Sequence, residues 1–104
     1  SQYAWLQTTV VGSGGLSFHW KVSSEADFDF LEVYVDDALQ PGSISGEVAW
    51  QPRSISIPAG SHIIKWRYCK DEFLGRGSDC GWVDKVSFRK GSMIPVLTLL
   101  LLDD

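Results

Sequence analysis

Residues 81–88 (GWVDKVSF) place one aspartate among aromatic and aliphatic side chains. With the two-residue period of a β-strand, Trp82, Asp84, Val86 and Phe88 share one face, and Val83, Lys85 and Ser87 share the other. The first face is rich in large apolar groups, which predicts that it is buried and takes Asp84 with it. An unpaired buried carboxylate costs several kcal/mol, so Asp84 is expected to meet a cation, a metal or a set of N–H donors.

Acidic residues collect in three places: Glu25, Asp27 and Asp29; Asp36 and Asp37; and Asp71, Glu72, Asp79 and Asp84. Calcium takes about six to eight oxygen ligands, which β-proteins draw from loop carboxylates and backbone carbonyls. Asp79 and Asp84 flank the start of a strand. If the 23–29 connection lies beside it, Glu25 and Asp27 would join them to hold a structural calcium. The chain lacks the fixed spacing of an EF-hand, and the plainer reading of most of these groups is solvated loop charge.

Five tryptophans in 104 residues invite a second reading. Trp20, Trp66 and Trp82 fall on core phases and are expected to be packing residues. Trp5 and Trp50, with Tyr34 on an outward phase, are the candidate ligand-binding residues, because exposed rings stack on sugars. His19 is outward-facing as well.

Cys69 ends one strand-like run and Cys80 precedes the next. The pair is expected to bridge the base of a hairpin, closing a short loop worth roughly 3 kcal/mol, and to place the protein in an oxidising compartment. The opposing reading is two free thiols. Two cysteines without further matching ligands do not make a zinc site.

Catalysis finds little footing. The sequence carries no G-x-S-x-G elbow, no H-E-x-x-H and no glycine-rich phosphate loop, and neither His19 nor His62 sits beside a recognisable nucleophile. A net charge of −4 without a clustered basic face argues against nucleic acid. An aromatic content of 12% argues against disorder. No apolar run reaches the length of about 18 residues needed to span a bilayer.

These residues must be positioned by strands. Residues 3–11, 16–23, 29–36, 48–57, 61–69 and 82–88 are rich in β-branched and aromatic residues, and several alternate cleanly. Turns are expected at residues 12–15, at Asp36-Asp37, around Pro41-Gly42 and at residues 58–60. Pro52 cannot donate to a ladder and marks an edge or a bulge. No segment has helical spacing over more than about one turn. The expected fold is all-β, a two-sheet antiparallel β-sandwich of jelly-roll type over residues 1–90, followed by a tail at 91–104. The tail run from Ile94 to Leu102 (IPVLTLLLL) would add a final strand, by pairing near Tyr3 to Val11, or would mediate a homodimer by strand exchange.

Five segments then resemble a jelly-roll module of bacterial secreted and cell-surface proteins, related in style to MAM and concanavalin-like lectin domains. They are residues 15–26 (GLSFHWKVSSEA), 29–37 (DFLEVYVDD), 44–47 (ISGE) with Trp50, 58–71 (PAGSHIIKWRYCKD) and 77–89 (GSDCGWVDKVSFR). The resemblance implies a non-catalytic module, secreted or at the cell surface, that recognises a glycan or protein ligand. It also implies a structural calcium near the last strand, at Asp84. In this chain Cys69 and Cys80 replace the small residues of the pattern, consistent with an added bridge. The pattern usually has sequence ahead of Ser1 and a further domain after residue 90, so the tail would stand in for a missing first strand. The expected function is adhesion or recognition, with a carbohydrate-binding module and a structural or self-associating spacer as the competing readings.

Overall fold

A computed structural model describes residues 2–70 and 80–91, with Gln2 and Lys70 described by their backbone alone. Asp71, Glu72, Asp79 and the apolar run at 94–102 lie outside the described residues. The strands are β1 (Gln2–Ser23), β2 (Phe30–Val35), β3 (Ala38–Leu39), β4 (Ile44–Ser45), β5 (Glu47–Lys70) and β6 (Cys80–Lys90). The protein is all-β and antiparallel, and the described residues contain no helix.

Two expected turns are not turns. β1 runs through residues 12–15 and β5 runs through 58–60, so four expected strands are two long ones. The glycines and the proline do act, but together: Gly12 pairs with Gly60 and Gly14 with Ile57, with a register shift between them. A Cβ on Gly12 would be driven into the Pro58 carbonyl oxygen, so only glycine fits this approach.

The paired β1–β5 ribbon folds back on itself at this point. Trp66 of β5 lies opposite Leu6 of β1, yet its ring centroid is 5.3 Å from that of Phe18. Leu6 and Phe18 are twelve residues apart, about 40 Å along a straight strand. The ring contact therefore requires the two halves of the ribbon to meet face to face. Leu16, Phe18, Trp20 and Val22 come from one half and Ile64, Trp66 and Tyr68 from the other, with Leu31 and Val33 added by β2 beside it; all are buried, with Ile57 at the bend.

The described strands form one continuous sheet in the order β3-β2-β5-β1-β6, with β4 also on β2, rather than two separately paired sheets. β2 flanks the 64–69 part of β5, and β6 flanks the 14–23 part of β1. The 47–57 part of β5 has a free edge among the described residues, and Pro52 sits there, as its missing donor requires.

The expected phase of β6 is overturned over most of its length. Ser17 pairs with Ser87 and His19 with Asp84, so Lys85 and Val86 together face Phe18. This bulge inserts one residue and reverses the side-chain phase. Val83 and Phe88 pack against the core, while Asp84 and Val86 are exposed and Trp82 lies opposite the outward Lys21. Asp84 is therefore not a buried carboxylate, and Trp82 is not a core residue. Asp84 serves the bulge instead. Its Oδ1 accepts a hydrogen bond at 2.8 Å from the Lys85 amide, and Lys85 has a φ of 54°.

Candidate functional site: an aromatic and cationic sheet face

Antiparallel pairing lines residues up in rows. Trp5 of β1 lies opposite Arg67 of β5, which lies opposite Glu32 of β2. The neighbouring rows are Gln7–Lys65–Tyr34 and Tyr3–Cys69–Phe30. These positions alternate with the buried Val33, Ile64, Trp66 and Tyr68, so they make up the outer face of this half of the ribbon.

Arg67 is at the centre. Its Nε donates to Glu32 Oε1 at 2.9 Å, its Nη2 forms an ion pair with the same oxygen at 2.8 Å, and the Tyr34 hydroxyl donates to it at 3.1 Å. The guanidinium carbon lies 4.7 Å from the Tyr3 ring centroid, 5.1 Å from Tyr34 and 5.5 Å from Trp5. Lys65 Nζ stands 4.5 Å from the Trp5 ring. Cations near aromatic faces are favoured by the ring quadrupole, and a carboxylate behind the guanidinium holds its plane still.

The charges respond accordingly. Burial works against the Arg67 charge, but hydrogen bonding and attraction to Glu32 outweigh it and hold its pKa above the ordinary value. Burial, then the Glu32 carboxylate, pushes the Tyr34 phenol up, so Tyr34 stays a neutral donor. Tyr3 and Trp5 have ring centroids 6.1 Å apart at 33° and remain about half exposed. Large rings left open beside a fixed ion pair form a platform onto which a flat apolar surface can stack.

Trp5 and Tyr34, expected as ligand-binding residues, fall together on this face. Trp50 does not. It belongs to the other half, where Lys21 Nζ lies 5.5 Å from its ring and 4.4 Å from that of Trp82. His19, Asp84 and Lys85 border the same region as Trp50.

The proposed calcium ligands are not brought together. Asp84 lies opposite His19, four residues and about 13 Å before the end of β1, whereas Glu25 and Asp27 lie beyond that end. Asp27 is exposed, and its amide donates to Ser45 Oγ at 2.7 Å. Among the described residues no group of three or more His, Cys, Asp or Glu side chains could hold a metal ion. The fourth expected ligand, Asp79, is outside the described residues.

Cys69 and Cys80 are free, half-buried thiols, which corrects the expected bridge. β5 and β6 do not pair with each other, so the two cysteines do not flank a hairpin. Cys69 is opposite Tyr3 and Phe30, and Cys80 is opposite Ser23.

Sequence reasoning did not name Arg67, Lys65, Glu32 or Tyr3 as ligand-binding residues. The signal was present in K-W-R-Y, where the cations are out of phase with a buried Trp66. It also missed Asp29, the carboxylate that is fully buried. Its Oδ2 accepts from the Glu25 amide at 3.3 Å and its carbonyl accepts from Ser24 Oγ at 3.1 Å, so it braces the β1–β2 connection.

No family model, no curated protein and no solved structure matches this chain.

Proposed function

We propose that this chain is a non-catalytic recognition module, secreted or at the cell surface, of the jelly-roll type its sequence resembles. Its ligand face is the outer surface formed by β1, β5 and β2. The observation that carries this reading is Arg67, held by Glu32 and ringed by Tyr3, Trp5 and Tyr34. The half-exposed rings of Tyr3 and Trp5 suit the apolar C–H faces of sugar rings, and Arg67, Lys65, Glu32 and Gln7 suit their hydroxyls.

The face is an open sheet and not a deep cleft, which favours an extended glycan chain over a small molecule enclosed on all sides. No described helix is long and apolar enough to cross a membrane.

Glycan-array binding of the full chain tests the reading. Binding is expected to be lost in Trp5→Ala and weakened in Tyr34→Phe, with unfolding midpoints close to the parent. Trp50→Ala, on the other half of the ribbon, is expected to bind as the parent does. Absence of glycan binding, or binding that survives Trp5→Ala unchanged, would refute the assignment of this face.

A further inference from the structure

Lys21 carries a charge that no described residue neutralises. It alternates with the buried Trp20 and Val22, so it stands on the outer face of the ribbon half that does not carry Arg67. Its Nζ lies 4.4 Å from the Trp82 ring centroid and 5.5 Å from that of Trp50. Among the described residues it has no carboxylate and no hydrogen-bond partner. Aromatic faces hold an ammonium in place and leave its donors free.

A bulge shapes the space beside it. Trp20 pairs with Gln51 and Val22 with Val48, so Ala49 and Trp50 together stand against Lys21. β5 therefore holds one residue more than β1 here, an irregularity common beside functional sites. On the other side of β1, Trp82 of β6 lies opposite Lys21. The cavity at this point measures about 380 Å³, and its lining includes Lys21, Ser23, Glu47, Ala49 and Trp82. That volume is at the small end of the range for ligand pockets.

Glu47 brings the opposite charge to the same cavity. It lies opposite Ser23, whose Oγ donates to its Oε2 at 2.7 Å, and it meets no cation among the described residues. A cation and an anion thus line one cavity without pairing with each other. A molecule with a carboxylate and an ammonium a few bonds apart satisfies both, through two charge-assisted contacts. A ligand with one charge leaves the other protein charge without a partner. Trp82 and the small Ala49 leave room for an apolar body with a flat face. A sugar fits less well, because the Ser23 hydroxyl already donates to Glu47.

We propose that this cavity is a second binding site, for a free α-amino acid with a flat apolar side chain. Lys21 Nζ takes the carboxylate, Glu47 takes the ammonium, and the side chain lies against Trp82. The site shares no residue with the face around Arg67, so it stands or falls independently of glycan binding.

Calorimetric titration of the full chain with L-phenylalanine, 3-phenylpropionate and phenethylamine tests this. The three share a ring and differ in charge. L-phenylalanine is expected to bind at least about tenfold more tightly than either singly charged analogue, each of which lacks one charge-assisted contact. Lys21→Met and Glu47→Gln are each expected to weaken L-phenylalanine binding at least about tenfold. Glu47→Gln should also erase the preference over 3-phenylpropionate. In an NMR titration of the unsubstituted chain, amide shifts are expected at Lys21, Ser23, Ala49 and Trp82 and not at Lys65 or Arg67. The titrations contain no glycan, so a failed glycan array leaves this result untouched, and the reverse. No saturable binding, equal binding of the three probes, unaltered binding in either variant, or shifts centred on Arg67 would each overturn the proposal.

Discussion

His62 Nδ1 and Asp36 Oδ2 lie 2.5 Å apart, which ties the turn between β2 and β3 to the middle of β5. The other Asp36 oxygen accepts from the Ile63 amide at 2.8 Å, and His62 Nε2 lies 2.9 Å from the Ala59 carbonyl oxygen. Both imidazole nitrogens thus face acceptors, an arrangement satisfied only by the doubly protonated ring. The hydrogen bond to Asp36, then that to Ala59, raises the His62 pKa, and the His62 contact, then the Ile63 amide, lowers that of Asp36.

The pH dependence has a definite sign. A raised histidine pKa contributes stability that is complete below its unfolded value near 6.5 and is lost as pH rises through the folded value. A lowered aspartate pKa contributes stability that is complete above about 4 and is lost as pH falls through the folded value. The clasp is therefore strongest between about pH 4 and 6.5. The unfolding midpoint is expected to fall from pH 6 to pH 9, and His62→Gln should remove that part of the slope. An NMR titration placing His62 at or below 6.5 would contradict this.

The same turn holds a second, opposite expectation. Asp36 and Asp37 have φ values of 49° and 68°, both left-handed, as a two-residue type I′ turn between Val35 and Ala38 requires. Asp37 makes only a 3.5 Å contact with Lys65 from a largely exposed position, which contributes little. Asp37→Gly is expected to raise stability by about 0.5–1 kcal/mol by removing left-handed strain. Asp36→Gly relieves similar strain but loses His62 and the Ile63 amide, so it is expected to destabilise. Chemical denaturation of the two variants should show opposite signs.

Phe18 tests the folded-back ribbon. Its ring meets Trp20 at 5.4 Å and 81° and Trp66 at 5.3 Å and 87°, joining residues from both halves. Phe18→Ala is expected to cost about 3–5 kcal/mol, a large part of the stability of a domain this size. Phe28→Ala, at a ring 57% exposed, should change stability by less than about 0.5 kcal/mol. Equal effects in urea unfolding would mean that the halves do not pack together in solution.

How far these arrangements were legible depends on the residue. In 16–22 and 31–35 the alternating residues Leu16, Phe18, Trp20, Val22, Leu31 and Val33 are the buried ones, because an uninterrupted strand keeps its period. Alternation in 82–88 misplaced Trp82 and Asp84, because the extra residue at the Lys85–Val86 bulge leaves no local mark in the sequence. The glycines at 12–15 signalled a change of direction, but not whether the chain would reverse or whether two paired strands would bend together. That choice rests with Pro58 and Gly60, more than forty residues away. Trp5 and Tyr34 were legible as outward rings. Their meeting over Arg67 depends on strand order, which no local pattern encodes.

Glu32 links stability to the proposed ligand face and separates the two. One of its oxygens accepts hydrogen bonds from Tyr34 and Arg67 Nε and pairs with Arg67 Nη2; its side chain is only 14% exposed, while that of Arg67 is 24% exposed. Glu32→Ala would leave a half-buried guanidinium without its counter-charge and the Tyr34 hydroxyl without its acceptor. The expected cost is about 1–3 kcal/mol, since residual solvent access moderates a penalty that would be larger in full burial. Glu32→Gln keeps an oxygen for Arg67 and Tyr34 and is expected to lose less. Trp5→Ala should cost under about 1 kcal/mol, because its ring is 54% exposed. The ranking Glu32→Ala, then Glu32→Gln, then Trp5→Ala in thermal unfolding is the reverse of what ring size alone would give. If Trp5→Ala proved the most destabilising, its ring would be a packing element and this face would lose its claim as a binding platform.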